Sequence, residues 1–477
     1  MPKDLLFIRT VLYIINPSLK IPLHIQLYEA VKNDIISNLS VGDKLPSIRK
    51  IASTYNLSKT TVESAYRQLY AEGYIESYPK SGYVVIDTYF DGFETKDRVD
   101  LAIATQKVEY KYDFFPARLS KDSFPLKLWK RLFAKAIDES LDFGAYHDGQ
   151  GELGLRVEIC KYIIESRGVR CRPEQIVICG GFSDSMGLFT KLVQKKYSHF
   201  AIENPGYHIA RRVYEEYGYS VEKIGVDRNG LLIDELEKSK AQLVYITPSH
   251  QYPTGVSMPI SNRLRLLEWA EKRDGLIIED DYDSELSYYS RPIPSLQGLD
   301  RFDRVVYLGT FAKSLSPSLR VSYMVLPNHI LPLYKESYDA HFPRVSLTTQ
   351  KTLELFISQG HWERHLRKIR TMNKKKHNIM RDLLLQELGS SIEIVSQGGG
   401  LAILIHPTKA FDWEKLKASA KDAKIKLYFA KERSGGEFEA IRMGFGGFSE
   451  EELVEAIEAF VELWREVDKP FVSEISI

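Results

Sequence analysis

The sequence predicts a multidomain chain, in which a small, mostly helical domain that ends in a β-hairpin precedes a larger α/β domain. The first observation is length, because 477 residues exceed one ordinary domain of about 100 to 200 residues. The second is that residues 22–86 contain helical segments followed by short strands, whereas apolar runs and helical stretches alternate from Asp113 onward. Between them, residues 87–112 are polar and charged, which predicts a linker.

The composition is that of a globular protein and narrows the possible functions. Lys and Arg total 65 against 64 Asp and Glu, a net charge of +1, so any DNA-binding surface must be local. Cys160, Cys171 and Cys179 lack the spacing of a zinc site or a disulfide framework, which favours a reducing compartment. No stretch approaches the roughly 18 apolar residues that a membrane-spanning helix needs. We therefore expect a cytoplasmic protein without a membrane segment or a metal.

The helical domain is predicted from apolar spacing and from the residues that interrupt it. The first helix carries apolar residues at mostly helical spacing and ends at a Gly42-Asp43 turn: Ile25, Leu27, Tyr28, Val31, Ile35 and Ile36. A second helix should begin after Pro46, with Ile48, Ile51 and Ala52 inward. The third should begin after Ser58 and face the core with Val62, Ala65, Tyr66 and Leu69.

The predicted hairpin gives this domain a wing. Residues 74–77 and 83–86 form short strands around a Pro79-Lys80-Ser81-Gly82 turn. A helix, a short turn and a second helix place the first turn of that second helix at base edges in the DNA major groove. Here that turn has the sequence SKTT, residues 58–61, whose hydroxyls and cation suit phosphates and base edges. Ordinary capping by Ser58 and a solvated first turn would explain the same residues.

This domain resembles the GntR family of winged helix-turn-helix regulators. The resemblance rests on three segments, namely KLPSIRKIA, NLSKTTVESAYRQLYAEGYI and the Lys-Ser-Gly wing tip. The resemblance implies a DNA-binding domain over residues 1–86. It implies DNA contacts from the second helix, the third helix and the wing, made by Lys44, Ser47 and Arg49, by Ser58, Lys59, Thr60 and Thr61, and by Lys80, Ser81 and Gly82. Glu63 stands where a further cation would help, and it either accepts from a cytosine amine or is tolerated.

The α/β domain is predicted from short apolar runs, namely QIVICG, HFAIENP, AQLVYITP, GLIIEDD and RVVYLGT. Helical stretches such as LWKRLFAKAIDESL and ISNRLRLLEWAEKRDG alternate with them. Uninterrupted apolar runs joined by crossover helices are typical of buried parallel strands. Sites in such sheets lie at the carboxyl ends of the strands.

Residues suited to cofactor chemistry stand at those strand ends. Lys313 lies in GTFAKS, where a lysine can form a Schiff base. The Asp280-Asp281 pair ends a strand, and a buried carboxylate there needs a cation such as a protonated pyridine nitrogen. The Gly180-Gly181 loop before a helix suits a phosphate, with Thr310 and Arg320 as further donors. Taken singly, each has a plain alternative: a helix cap, a turn or a surface cation.

Taken together and in their order along the chain, these residues resemble fold-type I pyridoxal-phosphate enzymes of the aminotransferase kind over residues 113–477. The matching segments include YHDGQG, ENPGY, TPSHQYPTG, IIEDDYDSELSYY, GTFAKS, SLRVSY and IRMGF. The resemblance implies Lys313 as the aldimine lysine, Asp280 on the pyridine nitrogen and Tyr282 near the phenolic oxygen. It further implies Tyr207 stacked on the ring, and Arg442 on an effector carboxylate. The phosphate would be held by Thr310, Arg320, the amides of Phe182 and Ser183, and Tyr146 from a partner subunit.

Two departures from the aminotransferase pattern bear on turnover. Tyr252 stands where Asn-Pro-Thr-Gly has its Asn, so the usual amide beside the phenolic oxygen is missing. Asp184 lies close to the expected phosphate and would repel it unless it turns away to cap the helix. His361 and His365 lack the pattern of a metal site, while His250 either lines the cofactor cleft or makes a structural hydrogen bond.

A GntR-type domain ahead of an aminotransferase-like domain is similar to the MocR family of bacterial transcription regulators. The resemblance implies operator DNA as a partner, pyridoxal 5'-phosphate as cofactor and a homodimer in head-to-tail arrangement. It implies sensing of a small amino compound, or of pyridoxal phosphate itself, by aldimine exchange rather than ordinary catalysis. The alternative is an active aminotransferase with an accessory DNA-binding domain. A scaffold with an inactive cofactor site is disfavoured, because Lys313, Asp280 and Arg320 are all present.

Overall fold

A computed structural model describes residues 13–79, 82–86, 109–138, 142–289, 293–338, 344–396, 398–431 and 439–468. The chain divides into two compact units, residues 1–106 and residues 107–477. None of the helices in the described ranges combines the length and apolarity that crossing a bilayer requires. Tyr112, at the end of the predicted linker, is buried in the larger unit and pairs with Ile425.

The N-terminal unit has the helices and strands that the sequence predicts. They are α1 (Leu23–Asn38), α2 (Ile48–Thr54), α3 (Lys59–Ala71), β1 (Ile75–Tyr78) and β2 (Gly82–Val85). The strands pair antiparallel, which confirms the wing. Ser47 caps α2 by accepting from the Lys50 amide, and Ser58 caps α3 by accepting from the Thr61 amide.

The core of this unit confirms most inward positions and corrects three details. The inward residues of α3, Val62, Ala65, Tyr66 and Leu69, are fully buried. Ile25 and Ile36 are 37% and 63% exposed, because α1 buries the narrower stripe that contains Leu27, Val31 and Ile35. Lys44 does not belong to the second helix: it lies before α2 and forms a β-bridge with Val84 of the wing.

The larger unit carries the remaining helices and strands, which largely alternate over residues 176–310. Its helices are α4 (Leu126–Asp138), α5 (Leu153–Arg167), α6 (Phe182–Val193), α7 (His208–Glu216), α8 (Ile233–Lys238), α9 (Ile260–Lys272), α10 (Leu296–Leu299), α11 (Leu331–Tyr338), α12 (Leu347–Ser358), α13 (His361–Leu388), α14 (Trp413–Asp422) and α15 (Glu450–Val467). Its strands are β3 (Tyr112–Asp113), β4 (Ile176–Cys179), β5 (His199–Asn204), β6 (Ser220–Asp227), β7 (Gly230–Leu231), β8 (Leu243–Ile246), β9 (Leu276–Asp281), β10 (Val305–Thr310), β11 (Ser322–Val325), β12 (Ile392–Ser396), β13 (Ala402–Pro407), β14 (Ile425–Lys426), β15 (Phe429–Lys431) and β16 (Glu439–Gly444).

An eight-stranded sheet in the order β4-β11-β10-β9-β8-β5-β6-β7 forms the centre of this unit. Each predicted apolar run is a strand, and β10, β9, β8, β5 and β6 are parallel neighbours. The expectation of parallel strands misses β11, which pairs antiparallel with both β10 and β4. Val177 and Cys179 enter one hydrophobic cluster and Ile176 and Ile178 another, so both faces of the sheet are covered.

A second, four-stranded sheet in the order β12-β13-β16-β15 lies in the C-terminal part of the larger unit. Its middle strands β13 and β16 are antiparallel and pair Leu404 with Arg442. Ile403, Ile405, Ile441 and Met443 are fully buried in the same cluster as residues of α13 and α15. This packing fixes the backbone from which the Arg442 side chain extends.

Candidate functional site

A cavity of about 170 Å3 lies at the ends of β4, β9 and β10, and we call it the inner cavity. Strand ends of an α/β sheet are where the sequence predicts a site. Predicted cofactor residues that line it are Phe182, Tyr207, Asp280, Tyr282, Thr310, Lys313 and Arg320. The fold therefore brings together residues that lie far apart in the sequence.

The two adjacent carboxylates at the end of β9 have different partners. Asp281 accepts from Arg167 Nε at 2.5 Å and from the Tyr307 hydroxyl at 2.6 Å, and all three side chains are buried. Asp281 therefore has its cation within the fold. Asp280 faces the inner cavity and accepts from the Tyr245 hydroxyl at 2.5 Å.

Asp280 is a buried carboxylate with an unusual proton affinity. Burial raises the pKa of Asp280 to about 7, with further contributions from the neighbouring carboxylates Asp281 and Asp283. Among the described residues, no Lys, Arg or His forms an ion pair with it. A cationic group placed in the cavity would stabilise the ionised form.

Lys313 is the amine of the inner cavity. Burial, followed by the neighbouring Arg442 guanidinium, lowers the pKa of Lys313 to about 8, and the carboxylates of Asp283 and Asp280 oppose this shift only in part. The lysine lies in the segment that follows β10, as predicted. A lowered pKa leaves more of the amine neutral near pH 7, and a neutral amine is a nucleophile.

The other end of the inner cavity is suited to an anion. Helix α6 begins at Phe182 after Gly181, and no side chain caps its first turn. Arg320 lies directly against Gly181. A Cβ at position 181 would be only 2.4 Å from Arg320 Nη2. Gly181 also has a φ of +98°, so a larger residue would be both strained and in collision. Negative charge is attracted to this place by the backbone amides in the first turn of α6, by the dipole of that helix and by the Arg320 guanidinium.

Asp184 meets the condition under which the sequence predicts no repulsion of a phosphate, because its side chain turns away. Its carboxylate accepts from the Gly180 amide at 2.8 Å and from Arg344 Nε at 3.0 Å. The side chain thus turns back to the loop, and its charge is compensated by Arg344.

Tyr282 is joined to a pair formed by the half-buried His250 and the buried Asp283. Its hydroxyl donates to the backbone oxygen of His250 at 3.0 Å, and His250 Nδ1 lies 2.8 Å from Asp283 Oδ2. Burial lowers the pKa of His250, but the Asp283 carboxylate outweighs it and raises that pKa above the ordinary value. The His250 ring lines a separate cavity of about 260 Å3 rather than the inner one. Of the two predicted roles of His250, the structure contains the structural hydrogen bond.

A wider groove of about 850 Å3, which we call the outer groove, continues from the inner cavity. Tyr207, Tyr252 and Lys313 line both spaces. Arg442 lines the outer groove, and its guanidinium carbon lies 4.1 Å from the centre of the Tyr252 ring. The amine and the cation predicted for the effector therefore border one continuous space.

The residues predicted to contact DNA occupy the surface of the N-terminal unit. Those that are exposed are Lys44, Ser47, Arg49, Ser58, Lys59, Thr60 and Gly82, and Thr61 is half-buried. Lys80 and Ser81 lie outside the described residues. The Ser58 oxygen lies 2.8 Å from Thr60 Oγ1 and 2.7 Å from Thr61 Oγ1, so capping uses these hydroxyls. Arg49 and Lys59 remain the exposed cations of α2 and α3 that were predicted to reach DNA.

Comparison with known proteins identifies the family. Residues 23–85 match the model of bacterial regulatory proteins of the gntR family. The HTH-type transcriptional regulator YdeL of Bacillus subtilis is 36% identical over 94% of this chain and 98% of its own length. The probable rhizopine catabolism regulatory protein MocR of Rhizobium meliloti is 32% identical over 84% of this chain and 85% of its own. The chain belongs to the MocR family of transcription regulators.

Solved structures show which fold follows the DNA-binding domain in this MocR-family chain. A kynurenine aminotransferase from Pyrococcus horikoshii matches with a TM-score of 0.67 at 22% identity, over 75% of this chain and 91% of its own. An archaeal alanine:glyoxylate aminotransferase matches with a TM-score of 0.67 at 24% identity, over 76% and 92%. The larger unit therefore has the fold-type I aminotransferase fold.

Some residues of the MocR-family site escaped the sequence reasoning, and the roles of two expected ones stay predictions. Arg167, Tyr245 and Tyr307 come from distant elements, and only the need of each buried Asp for a donor signals them. Ser183, whose backbone amide is predicted to hold the phosphate, lies in the first turn of α6 next to Phe182. Tyr146 is 79% exposed and does not border the cavity within the chain.

Proposed function

We propose that this MocR-family protein holds pyridoxal phosphate in the inner cavity and adjusts its DNA binding in response to a small amino compound. The observation that carries the proposal is the buried Asp280 carboxylate, which faces the cavity and forms no ion pair with a described Lys, Arg or His, so that its pKa stays raised despite the nearby charge of Lys313. Its neighbour Asp281 is neutralised by Arg167, so the fold satisfies one of the two charges and leaves the other for a ligand. A protonated pyridine nitrogen has the required charge.

The other residues of the inner cavity fit the same cofactor. Tyr207 would cover the ring, and Tyr282 would lie beside the phenolic oxygen. The phosphate would be held by Arg320, Thr310 and the amides of Phe182 and Ser183. When bound, pyridoxal phosphate supplies an aldehyde that captures amines covalently.

The chain's own groups account for capture and selection of an amine. Lys313 offers an amine whose lowered pKa leaves part of it neutral near pH 7. Arg442, in the outer groove, would bind a carboxylate as a two-pronged donor. An aldehyde alone selects poorly among amines, so the second anchor provides the selectivity. We therefore propose a small amine that carries a carboxylate as effector, and pyridoxal phosphate itself is the competing signal.

Signal transfer requires an assembly in which the DNA-binding domains respond to the larger unit. We propose a head-to-tail homodimer in which Tyr146 of one subunit reaches the phosphate end of the partner's cavity. The exposure of Tyr146 supports this role. Release of Lys313 by an incoming amine would alter the charge in the cleft and shift the closure of the large unit.

The experiment that tests the function compares signalling with catalysis. Purified protein with pyridoxal phosphate is titrated with γ-aminobutyrate, D-alanine and taurine while absorbance and operator binding are recorded. We expect spectral changes and altered DNA affinity without sustained turnover. Release of 2-oxo acid with an acceptor present, at roughly 1 per second or more, would establish the alternative of a working aminotransferase. If only added pyridoxal phosphate changed DNA affinity, the effector would be the cofactor.

Arg49→Ala and Lys59→Ala are each expected to weaken operator binding by about 1 to 3 kcal/mol, because we propose that these exposed cations contact phosphates and base edges. Binding is measured by fluorescence anisotropy at several salt concentrations, with random DNA as reference. Lys20→Ala, which removes an exposed charge ahead of α1, is the matched control. If both variants bound operator and random DNA like the parent, this placement of the DNA-binding surface would be wrong.

A further inference from the structure

Tyr252 occupies the boundary between the inner cavity and the outer groove. Its ring centre lies 5.3 Å from that of Tyr207 and 6.3 Å from that of Tyr282, both at steep angles. Three aromatic side chains thus meet where the two spaces join. Tyr252 and Lys313 each line both spaces, so this corner borders the region in which a molecule in the groove would meet Lys313.

The Tyr252 ring also supports Arg442. The guanidinium carbon lies 4.1 Å from the ring centre, within the range of a cation–π interaction. A guanidinium donates hydrogen bonds only in its plane, so a face that rests on a ring leaves the edge for a carboxylate. The backbone of Arg442 is itself fixed, because its amide donates to the Tyr428 carbonyl at 2.7 Å. Only the side chain of Arg442 remains free to change conformation, and the Tyr252 ring restricts it.

Tyr252 is in turn held by a buried hydrogen-bond relay. Its backbone amide donates to Thr247 Oγ1 at 2.9 Å, and that hydroxyl donates to Glu203 Oε2 at 2.7 Å. The Thr247 amide donates to the same carboxylate oxygen at 3.2 Å. Glu203 is 3% exposed and is the penultimate residue of β5, while Thr247 follows β8. The loop that carries the ring is therefore tied to two strands of the central sheet.

We propose that Tyr252 is a specificity-determining residue, which holds the Arg442 guanidinium so that its edge meets the effector carboxylate. The inference rests on the proposed function and deepens it, because it explains what an aromatic residue does at the position where the aminotransferase pattern has Asn. With Tyr instead of Asn, the site lacks the side-chain amide beside the cofactor and has instead an aromatic ring that supports Arg442, the residue proposed to bind the carboxylate. Selection for a carboxylate then depends on the ring and not on its hydroxyl.

Three variants of the full-length protein test this proposal. Tyr252→Leu removes the ring and keeps apolar bulk, Tyr252→Phe keeps the ring, and Tyr289→Leu removes a ring that contacts Lys374 outside the two spaces. Each is loaded with pyridoxal phosphate and titrated by absorbance with γ-aminobutyrate and with propylamine, which lacks the acid. The preference for the acid over the plain amine is the quantity compared.

Tyr252→Leu should lower that preference by about 3- to 30-fold, the range from an exposed to a desolvated cation–π contact, while Tyr252→Phe and Tyr289→Leu keep it within about twofold. A Tyr252→Leu variant that keeps the parent's preference, or one that fails to bind the cofactor, overturns the proposal. Failure of the parent to bind the cofactor overturns the proposed function instead.

A crystal structure of Tyr252→Leu without ligands gives a readout that does not depend on any effector. We expect the Arg442 guanidinium to leave the position that it holds over the ring in the parent. A guanidinium that stays in place without the ring contradicts the proposal, even if the parent shows no preference between the two amines.

Discussion

Asp280→Asn is expected to lower the affinity for pyridoxal phosphate by about a hundredfold or more, because a buried pyridinium would lose its counter-charge. The change keeps the size of the side chain and its contact with the Tyr245 hydroxyl. An absorbance titration of the cofactor-free protein measures the loss. Asp281→Asn is the matched comparison, since it removes the neighbouring carboxylate, which Arg167 already neutralises.

The two variants should change stability in opposite directions. In the cofactor-free protein the pKa of Asp280 is raised to about 7, above its ordinary value of 3.8, so its ionised form opposes folding. Asp280→Asn should therefore stabilise this form, with a gain that grows as pH rises from about 4 to 7 and then levels off at up to about 4 kcal/mol. Asp281→Asn should cost about 3 to 5 kcal/mol, because it leaves Arg167 buried without a partner.

Denaturant unfolding between pH 4 and pH 8 checks both signs. If Asp281→Asn lost the cofactor while Asp280→Asn bound it like the parent, the roles of the two carboxylates would be reversed. A destabilised Asp280→Asn protein at pH 8 would show that the Asp280 charge is already satisfied within the fold.

Helix caps and apolar runs in the sequence predict most of the fold, because helix ends and buried strands depend on neighbouring residues in the chain. Ser58 caps the helix that it is predicted to precede, and the apolar runs that end at Asp281 and Thr310 are buried strands. The direction of β11 could not be obtained this way. Ser322–Val325 is buried like the parallel strands of the same sheet, and strand direction depends on the path of the chain, which burial does not record.

The sequence predicts those site residues that lie in short motifs. It misses those whose role depends on a partner far away along the chain. Lys313 and Asp280 stand in recognisable segments at strand ends. The sequence could not say which of two adjacent carboxylates carries an internal counter-ion, because Arg167 lies more than a hundred residues away from Asp281. Tyr252 was identified as a departure, but its support of Arg442 becomes visible only when β16 is placed beside that loop.

Lys313→Ala is expected to abolish covalent attachment of pyridoxal phosphate, since Lys313 is the amine that lines the inner cavity beside Asp280. Borohydride reduction followed by peptide mapping should label Lys313 in the parent and leave the variant unlabelled. Lys195→Ala, which removes an exposed lysine of the same unit, is the control and should be labelled at Lys313 like the parent. Specific labelling of another lysine in the parent would contradict the assignment.

The pH dependence of attachment tests the environment of Lys313 as well as its identity. With its pKa lowered to about 8, about a tenth of the amine is neutral at pH 7, whereas an ordinary lysine would be almost wholly charged. The rate of attachment should therefore fall about tenfold for each pH unit below 7 and level off above about 8. Since Arg442 contributes to the lowered pKa, Arg442→Ala should move this profile to higher pH and slow attachment at pH 7. A profile that stayed in place without Arg442 would mean that burial alone makes the lysine reactive, and that the carboxylate anchor and the amine act independently.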